Sequence, residues 1–197
     1  MPLTSIIKET AFQWRFSLIQ LFKCCALLVS PACQIPTPPQ VEEILGDIHG
    51  KTKLAGEYFK TANRWMPIIS KIRLYESLAN ASRHNDNGVT SILLGIKLIL
   101  SWPGETASSK IYAVAKEFLL HMEMAGCISI YTIQAEILIA MYEMGHAILP
   151  GAFTTISTCA RHAIALGING TLNIQKNTWV EQEERNRTWW AIIILDR

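Results

Sequence analysis

The sequence predicts an all-α fold in which antiparallel helical hairpins pack in an irregular bundle. Apolar residues recur at helical spacing along most of the 197 residues, and 50% hydrophobic with 17% charged residues is the composition of a globular protein. No segment of strand length alternates strictly between apolar and polar residues. Glycines and prolines stand between the helical patterns, so they indicate where helices begin and end.

A proline-rich linker divides the chain near its beginning. Pro36, Pro38 and Pro39 cannot continue a helix together. We therefore expect an N-terminal extension over residues 1–38 and one helical domain over residues 39–197. In the first half of that domain, helical spacing is found in three segments, Val41–Ile48, Leu54–Trp65 and Ile68–Leu78. Pro67 should end the second of these helices.

The middle of the chain predicts two further helices. The run Asn85–Gly88 is expected to separate two helices. Residues 91–100 are almost wholly apolar, with Lys97 as the one charged residue, which favours a helix buried on most of its surface. The apolar positions from Ile111 to Met122 follow helical spacing, and Gly126 supplies a stop just beyond them.

The last third predicts a hairpin and a terminal helix. The pattern Tyr131–Tyr142 should stop near Gly145, and Pro150 can open the next helix, whose buried stripe is expected at Phe153, Ile156, Ala160 and Ala163. The short connection makes this pair antiparallel. Thr178 and Glu181 form a capping box for a helix that runs from Trp179 to the chain end.

Few residues are arranged for catalysis. The chain contains no GxSxG nucleophile motif and no phosphate-binding glycine loop. Glu143 and His146 lie on adjacent turns of one helix face, which is half of a di-iron site, but no second Glu-x-x-His pair follows. The expectation is that the chain is not an enzyme and has no catalytic, cofactor-binding or metal-binding residues. A helical metal-binding enzyme using Glu143 and His146 is the alternative hypothesis.

Composition argues against nucleic-acid binding by this chain. Its formal net charge is only +2, and its five cysteines include no CxxC pair from which a metal cluster could be built. Direct DNA binding is therefore expected to be feeble. The uncharged stretch from Cys24 to Val41 contains four prolines, so no membrane helix is expected. Residues 1–33 resemble a signal peptide, although Lys23 interrupts the apolar region that such a peptide requires. Because of this pattern, a secreted helical protein is a second alternative hypothesis.

Several segments carry a resemblance to a known family. Gln134–Ala152 contains a glutamine-led apolar helix, the residues Tyr142-Glu143-Met144-Gly145-His146 and then Pro150; Ala160–Gly167 reads Ala-Arg-His-Ala-Ile-Ala-Leu-Gly; and Glu183–Arg197 contains paired glutamates, paired tryptophans and a final Leu-Asp-Arg. Together they resemble the middle homology region of fungal zinc-cluster transcription factors. A weaker match lies at Tyr58–Ser70, so the resemblance covers about residues 54–197.

The resemblance points to residues that are interpreted as structural rather than as ligand contacts. They are the positions that match the family motifs, namely Gly145, His146, Pro150, Arg161, Gly167, Arg187, Trp189, Trp190, Asp196 and Arg197. The tryptophans and Ile192–Leu195 are expected to supply buried area between the terminal helix and the hairpin before it.

The resemblance also implies a function. It implies a nuclear protein whose helical region takes part in transcription regulation, with partners in the transcription machinery or self-association, and with a small-molecule effector as a further possibility. The apolar faces at residues 91–100 and 131–142 could line an effector pocket, although packing on each other is the simpler account. The family's DNA-binding zinc cluster is missing, and its pattern continues past Arg197, so we expect an incomplete domain, a fragment of a longer protein.

Overall fold

The structure is a computed structural model that describes residues 35–81, 86–101, 106–170 and 178–197. These residues form eight α-helices and no strand, so the predicted all-α class is confirmed for them. The helices are α1 (Pro39–Leu45), α2 (Ile48–Lys60), α3 (Lys71–Ala81), α4 (Asn87–Ile99), α5 (Thr106–Met124), α6 (Ile130–Gly145), α7 (Leu149–Ala165) and α8 (Trp179–Leu195), with a short 3-10 helix at Ala62–Arg64 between α2 and α3.

Helix α6 is the centre of the molecule. Every residue from Tyr131 to Glu143 is buried, because α4, α5, α7 and α8 all pack around it. The closest approach is to α4, where a Cβ atom on Gly95 would lie 3.3 Å from the Cα atom of Ala135. Gly88 lies against Tyr131 and Gly95 against Ala135, so α4 and α6 run in parallel. The two apolar faces predicted at residues 91–100 and 131–142 therefore pack on each other.

Helices α6 and α7 form the predicted antiparallel hairpin. The Cys159 thiol lies 3.6 Å from the Ile133 carbonyl oxygen near one end, and Thr155 bonds Glu143 near the other. The connection turns at Ala147, whose φ is 57°, a left-handed conformation that favours glycine. Gly145 is the last residue of α6 and keeps helical geometry, so the glycine stands two residues before the left-handed position.

The helix ends follow the signals in the sequence with two exceptions. The capping box of Thr178 and Glu181 is present at the start of α8. However, Gly46 adopts a φ of 68° and interrupts the first predicted pattern, so that Asp47 caps a new helix and Ile48 belongs to α2. Helix α4 begins earlier than predicted, because Asp86 caps it and both Asn87 and Gly88 lie within it, while Asn85 lies outside the described residues.

Three apolar side chains that were expected to be buried lie on the surface instead. Phe153 is 68% exposed, Trp190 is 62% exposed and Ile194 is 61% exposed. Each sits on the outer side of its helix. The expectation that these residues supply buried area is therefore wrong for them, whereas Ile192 is buried and Trp189 is partly buried against the core.

Some predictions fall on parts of the chain outside the described residues. These are the ones made for residues 1–33, including the signal-peptide pattern and the positions of Cys24, Cys25 and Cys33. Among the helices that the structure describes, none combines the length and apolar character required to cross a membrane.

Candidate functional site

Glu143 is completely buried at the C-terminal end of α6 and is held by three donors. The Tyr112 hydroxyl donates to Oε1 at 2.7 Å, the Thr155 hydroxyl donates to Oε2 at 2.6 Å, and the Lys116 ammonium lies 3.1 Å from Oε1. Burial raises the pKa of the Tyr112 phenol, and its hydrogen bond with Glu143 raises it further, so the phenol remains a donor. The carboxylate thus joins α5, α6 and α7.

His146 caps the C-terminus of α6 and does not join Glu143. Its Nδ1 atom lies 2.8 Å from the Tyr142 carbonyl oxygen, and its ring stacks on the Tyr142 ring with centroids 3.9 Å apart. Tyr142 stacks in turn on Tyr112 at 5.6 Å. The imidazole is therefore the outer member of an aromatic stack, which accounts for a histidine at this position by packing alone.

This geometry gives the metal-enzyme alternative no support. The carboxylate of Glu143 is neutralised by Lys116 and its oxygens are occupied by hydroxyl donors, so it is not free to bind an ion with His146. Within the described ranges no group of three or more His, Cys, Asp and Glu side chains is placed to hold a metal ion.

A second buried pair joins α6 and α7 two turns earlier along α6. The Nδ1 atom of His162 lies 2.7 Å from Oε1 of Glu136, and its Nε2 atom lies 3.8 Å from Glu123 on α5. Burial alone would lower the pKa of His162, but the hydrogen bond and charge of Glu136 outweigh it, so the pKa is raised. Burial also raises the pKa of Glu136, against the opposing effect of His162.

Three segments distant in sequence meet at Glu184, which is 1% exposed. Its carboxylate accepts from the Ser70 backbone N–H at 2.9 Å, from Gln134 Nε2 at 3.1 Å and from the Arg73 guanidinium. We call these four residues the Glu184 junction. It connects the N-terminus of α3 with α6 and α8, and a carboxylate there also complements the positive end of the α3 dipole.

The backbone before α3 is held by the same two helices. Gln134 Nε2 donates to the Ile68 carbonyl oxygen at 2.8 Å, and Arg187 donates to the Pro67 carbonyl oxygen at 3.2 Å. Arg187 also pairs with Glu183 one turn earlier at 3.1 Å. Arg185 reaches the other way and donates at 2.6 Å to the carbonyl oxygen of Leu166, the residue that caps the C-terminus of α7.

The motif residues of the hairpin serve its turns and its surface. Pro150 lies in the first turn of α7, where it costs no hydrogen bond. Gly167 has a φ of 64° and ends α7, with the Ile168 N–H bonded to the Ala163 carbonyl oxygen. Arg161 is exposed and donates to Thr158 at 3.1 Å.

The terminal motif residues lie along one helix. Trp189 packs partly against the core, whereas Trp190, Asp196 and Arg197 are exposed, and Asp196 is the C-cap residue of α8. None of them contacts the Glu143 or Glu136 networks through a hydrogen bond or ion pair described above. Their roles as structural motif residues stay a prediction.

Sequence reasoning missed the polar residues that organise the core. Sequence analysis considered Glu143 as a candidate metal ligand and placed Gln134 and Glu184 in family motifs, but it predicted a buried role for none of them. Glu136 was given no role, and the partners Tyr112, Lys116 and Thr155 were not singled out. A signal was present, because a helix that is apolar on all sides must bury the polar residues within it. Gln134, Glu136 and Glu143 all lie in such a helix, and buried polar groups require partners.

The chain is similar to known proteins over most of its length. A family model described as the fungal specific transcription factor domain matches residues 55–197. A curated relative, transcription factor BOA15 from Botryotinia fuckeliana (strain B05.10), is 32% identical over 151 residues, which cover 74% of this chain and 84% of the relative. No solved structure matches the chain.

Proposed function

Because this chain belongs to the fungal specific transcription factor domain family and functions in transcription regulation, we propose that its helical domain, residues 39–197, is a regulatory module that restrains or relays transcriptional activation. In this proposal the chain makes and breaks no bonds, and it works in the nucleus. DNA would be read by another module, since this sequence has a net charge of only +2 and no CxxC pair.

The Glu184 junction is the observation that carries the proposal. Three of the four segments with the family resemblance meet there, and their polar side chains bind backbone groups and one another. They are the end of Tyr58–Ser70, the start of Gln134–Ala152, and Glu183–Arg197. Residue types that a catalytic site would leave open to a substrate are here used to join helices. This favours a scaffold that transmits structural change over a reaction centre.

Protein partners or self-association would act through the outer surface of α8. Trp179, Trp190 and Ile194 are all more than half exposed. Trp190 and Ile194 are four residues apart and so lie on one side of the helix. Large exposed apolar side chains are typical of surfaces that bind other proteins.

The regulatory step is proposed to be a shift between two arrangements of the helices. An effector can bias such an equilibrium only if it binds one arrangement more tightly than the other. The α4 and α6 faces are packed together through Gly95 and Ala135 and leave no room for a ligand between them. A small-molecule effector would therefore have to bind elsewhere.

A transcriptional fusion tests the proposal. The full chain is joined to a DNA-binding module from an unrelated protein, and the output of a reporter gene in a fungal cell is compared with that of the module alone. We expect the fused chain to change the output and to accumulate in the nucleus.

The paired variants Glu184→Ala and Glu183→Ala sharpen this test. Glu184→Ala removes the buried carboxylate at the centre of the junction and should abolish the effect on the reporter. Glu183→Ala removes a carboxylate on the same helix turn that is 40% exposed and bonds only Arg187 among the described contacts, and it should preserve the effect. A stably expressed wild-type fusion that leaves the reporter unchanged would contradict the regulatory proposal.

A further inference from the structure

A shallow depression lies where the C-terminal ends of α2 and α4 meet. Lys60, Arg64 and Trp65 line it from the end of α2 and the 3-10 helix that follows, and Ile99 and Leu100 line it from the end of α4. We call these five residues the Trp65 surface. Its volume is about 600 Å³, and most of it is open to solvent. A small molecule is usually enclosed on most sides, so this shape is better suited to a segment of another protein.

The apolar part of the Trp65 surface is accessible to water. Trp65 is 61% exposed, and Ile99 and Leu100 are only partly buried where they pack against the core. A partner that covers these side chains removes apolar area from water, which favours binding. Tryptophan and arginine, which stand next to each other here, are the residue types enriched among the side chains that dominate protein–protein binding.

The charged part of the Trp65 surface is positive. Lys60 and Arg64 are exposed, and neither forms an ion pair with a residue that the structure describes. Lys53 lies seven residues before Lys60 and therefore on the same side of α2, with Glu57 as the exposed carboxylate between them. Lys60 also offsets the negative end of the α2 dipole, so a partner must gain from apolar contact as well as from charge.

We propose that the Trp65 surface binds a segment of a partner protein that carries both acidic and apolar side chains. The carboxylates of the segment accept from Lys60 and Arg64, and its apolar side chains lie against Trp65 and the end of α4. The proposal deepens the regulatory function, on which it rests for the meaning of binding, by naming the kind of segment that the module recognises.

Fluorescence anisotropy of a labelled peptide tests the proposal on the purified full chain. The peptide contains glutamates, leucines and a phenylalanine, and we expect it to bind with a Kd on the order of 10 μM, because the surface is small. Replacing its glutamates by glutamine should weaken binding about fivefold, since exposed ion pairs contribute little each. Replacing its leucines and phenylalanine by alanine should weaken binding about tenfold or more.

A single-stranded oligonucleotide is the remaining probe, because exposed aromatic and basic side chains can also bind nucleic acid. We expect it to bind more weakly than the acidic peptide. An oligonucleotide that binds as tightly overturns the proposal in favour of a nucleic-acid site. No binding of the acidic peptide, or equal binding of the glutamate and glutamine peptides, also overturns it.

Two tryptophan variants locate the apolar contact. Trp65→Ala should weaken binding of the acidic peptide about tenfold or more. Trp190→Ala removes a tryptophan of nearly equal exposure from α8 and should leave binding unchanged. If Trp190→Ala weakens binding and Trp65→Ala does not, the peptide binds α8 and the assignment is wrong.

Two double variants locate the charged contact. Replacing Lys60 and Arg64 together by glutamine should remove the preference for the glutamate peptide over the glutamine peptide, whereas replacing the exposed Arg161 and Arg197 should keep it. A preference that survives the loss of Lys60 and Arg64 contradicts the proposal, and this pair decides the matter if Trp65→Ala does not fold. The readout uses purified protein and no transcription, so its failure is distinguishable from that of the reporter experiment.

Discussion

Ala147 occupies a backbone conformation that its side chain disfavours. Its φ is 57°, and it stands at the position after α6 where glycine is the usual residue. The Ala147 N–H and the Ile148 N–H bond the carbonyl oxygens of Met144 and Glu143, so the turn fixes this conformation. We expect Ala147→Gly to raise the free energy of unfolding by about 0.5–1 kcal/mol, measured by urea denaturation.

The opposite substitution, glycine to alanine, at the turn that ends α5 is the control. Gly126 ends α5 with a φ of 69° and has open space where a Cβ atom would stand. Gly126→Ala should therefore lower the free energy of unfolding by about 1 kcal/mol through the backbone alone. A Gly126→Ala chain as stable as the wild type would contradict this account of both turns.

The pair of His162 and Glu136 should make stability depend on pH. The groups facing it are Glu136 on α6, Glu123 on α5, and Arg161 and Cys159 on α7. The pKa of His162 is raised in the folded chain, so its contribution is fully present below its ordinary pKa of about 6.5 and is lost as the pH rises through the folded value. The raised pKa of Glu136 acts in the same direction at lower pH, because the folded state holds the extra proton.

The measurement compares the wild type with His162→Gln. The difference in their free energies of unfolding should be largest near pH 6 and shrink towards about pH 9. If the wild type instead becomes more stable relative to His162→Gln as the pH rises, the predicted direction of the pH dependence is wrong.

At the scale of helices, the contact between α4 and α6 depends on Gly95. A Cβ atom there would lie 3.3 Å from Cα and 3.4 Å from the carbonyl oxygen of Ala135, and neither backbone atom can move without shifting the central helix. Gly95→Ala should therefore lower the free energy of unfolding by about 1–2 kcal/mol, although alanine favours helix.

Gly145→Ala is the matched helical control for that contact. Gly145 lies at the end of α6 with no atom within 4 Å of a Cβ position, so alanine there should raise the free energy of unfolding by about 0.5–1 kcal/mol. Thermal melting followed by circular dichroism measures both variants. If Gly95→Ala instead stabilises the chain, α4 and α6 can move apart enough to accommodate the added methyl group at no cost in free energy.

The positions of the helices were largely predictable from the sequence, whereas the burial or exposure of some of their side chains was not. Helical spacing and stop residues are local signals, and they located α5, the α6–α7 hairpin and the capped start of α8. The exposure of Phe153 and Trp190 was not predictable in this way, because a residue next to an apolar stripe is buried only if another helix covers it. The site partners were missed for the same reason, since the contact of Glu184 with Ser70 spans 114 residues.

At the scale of the whole molecule, the Glu184 junction should carry a large share of the stability. The carboxylate is buried and accepts from Ser70, Arg73 and Gln134, so its removal leaves several donors without an acceptor. We expect Glu184→Ala to lower the free energy of unfolding by about 3 kcal/mol and Glu183→Ala by less than about 0.5 kcal/mol, measured by chemical denaturation. Equal effects of the two substitutions would show that the junction is not a special contact.

The neighbouring residues Glu184 and Arg185 have a mechanical consequence. One closes the start of α3 and the other closes the end of α7, and successive side chains project about 100° apart around a helix. A rotation of α8 about its axis, or a shift along it, would break both attachments together, so we expect α8 to act as a crosslink between α3 and α7 and not as a hinge. Any signal that displaces α8 must therefore free two other helices in the same step.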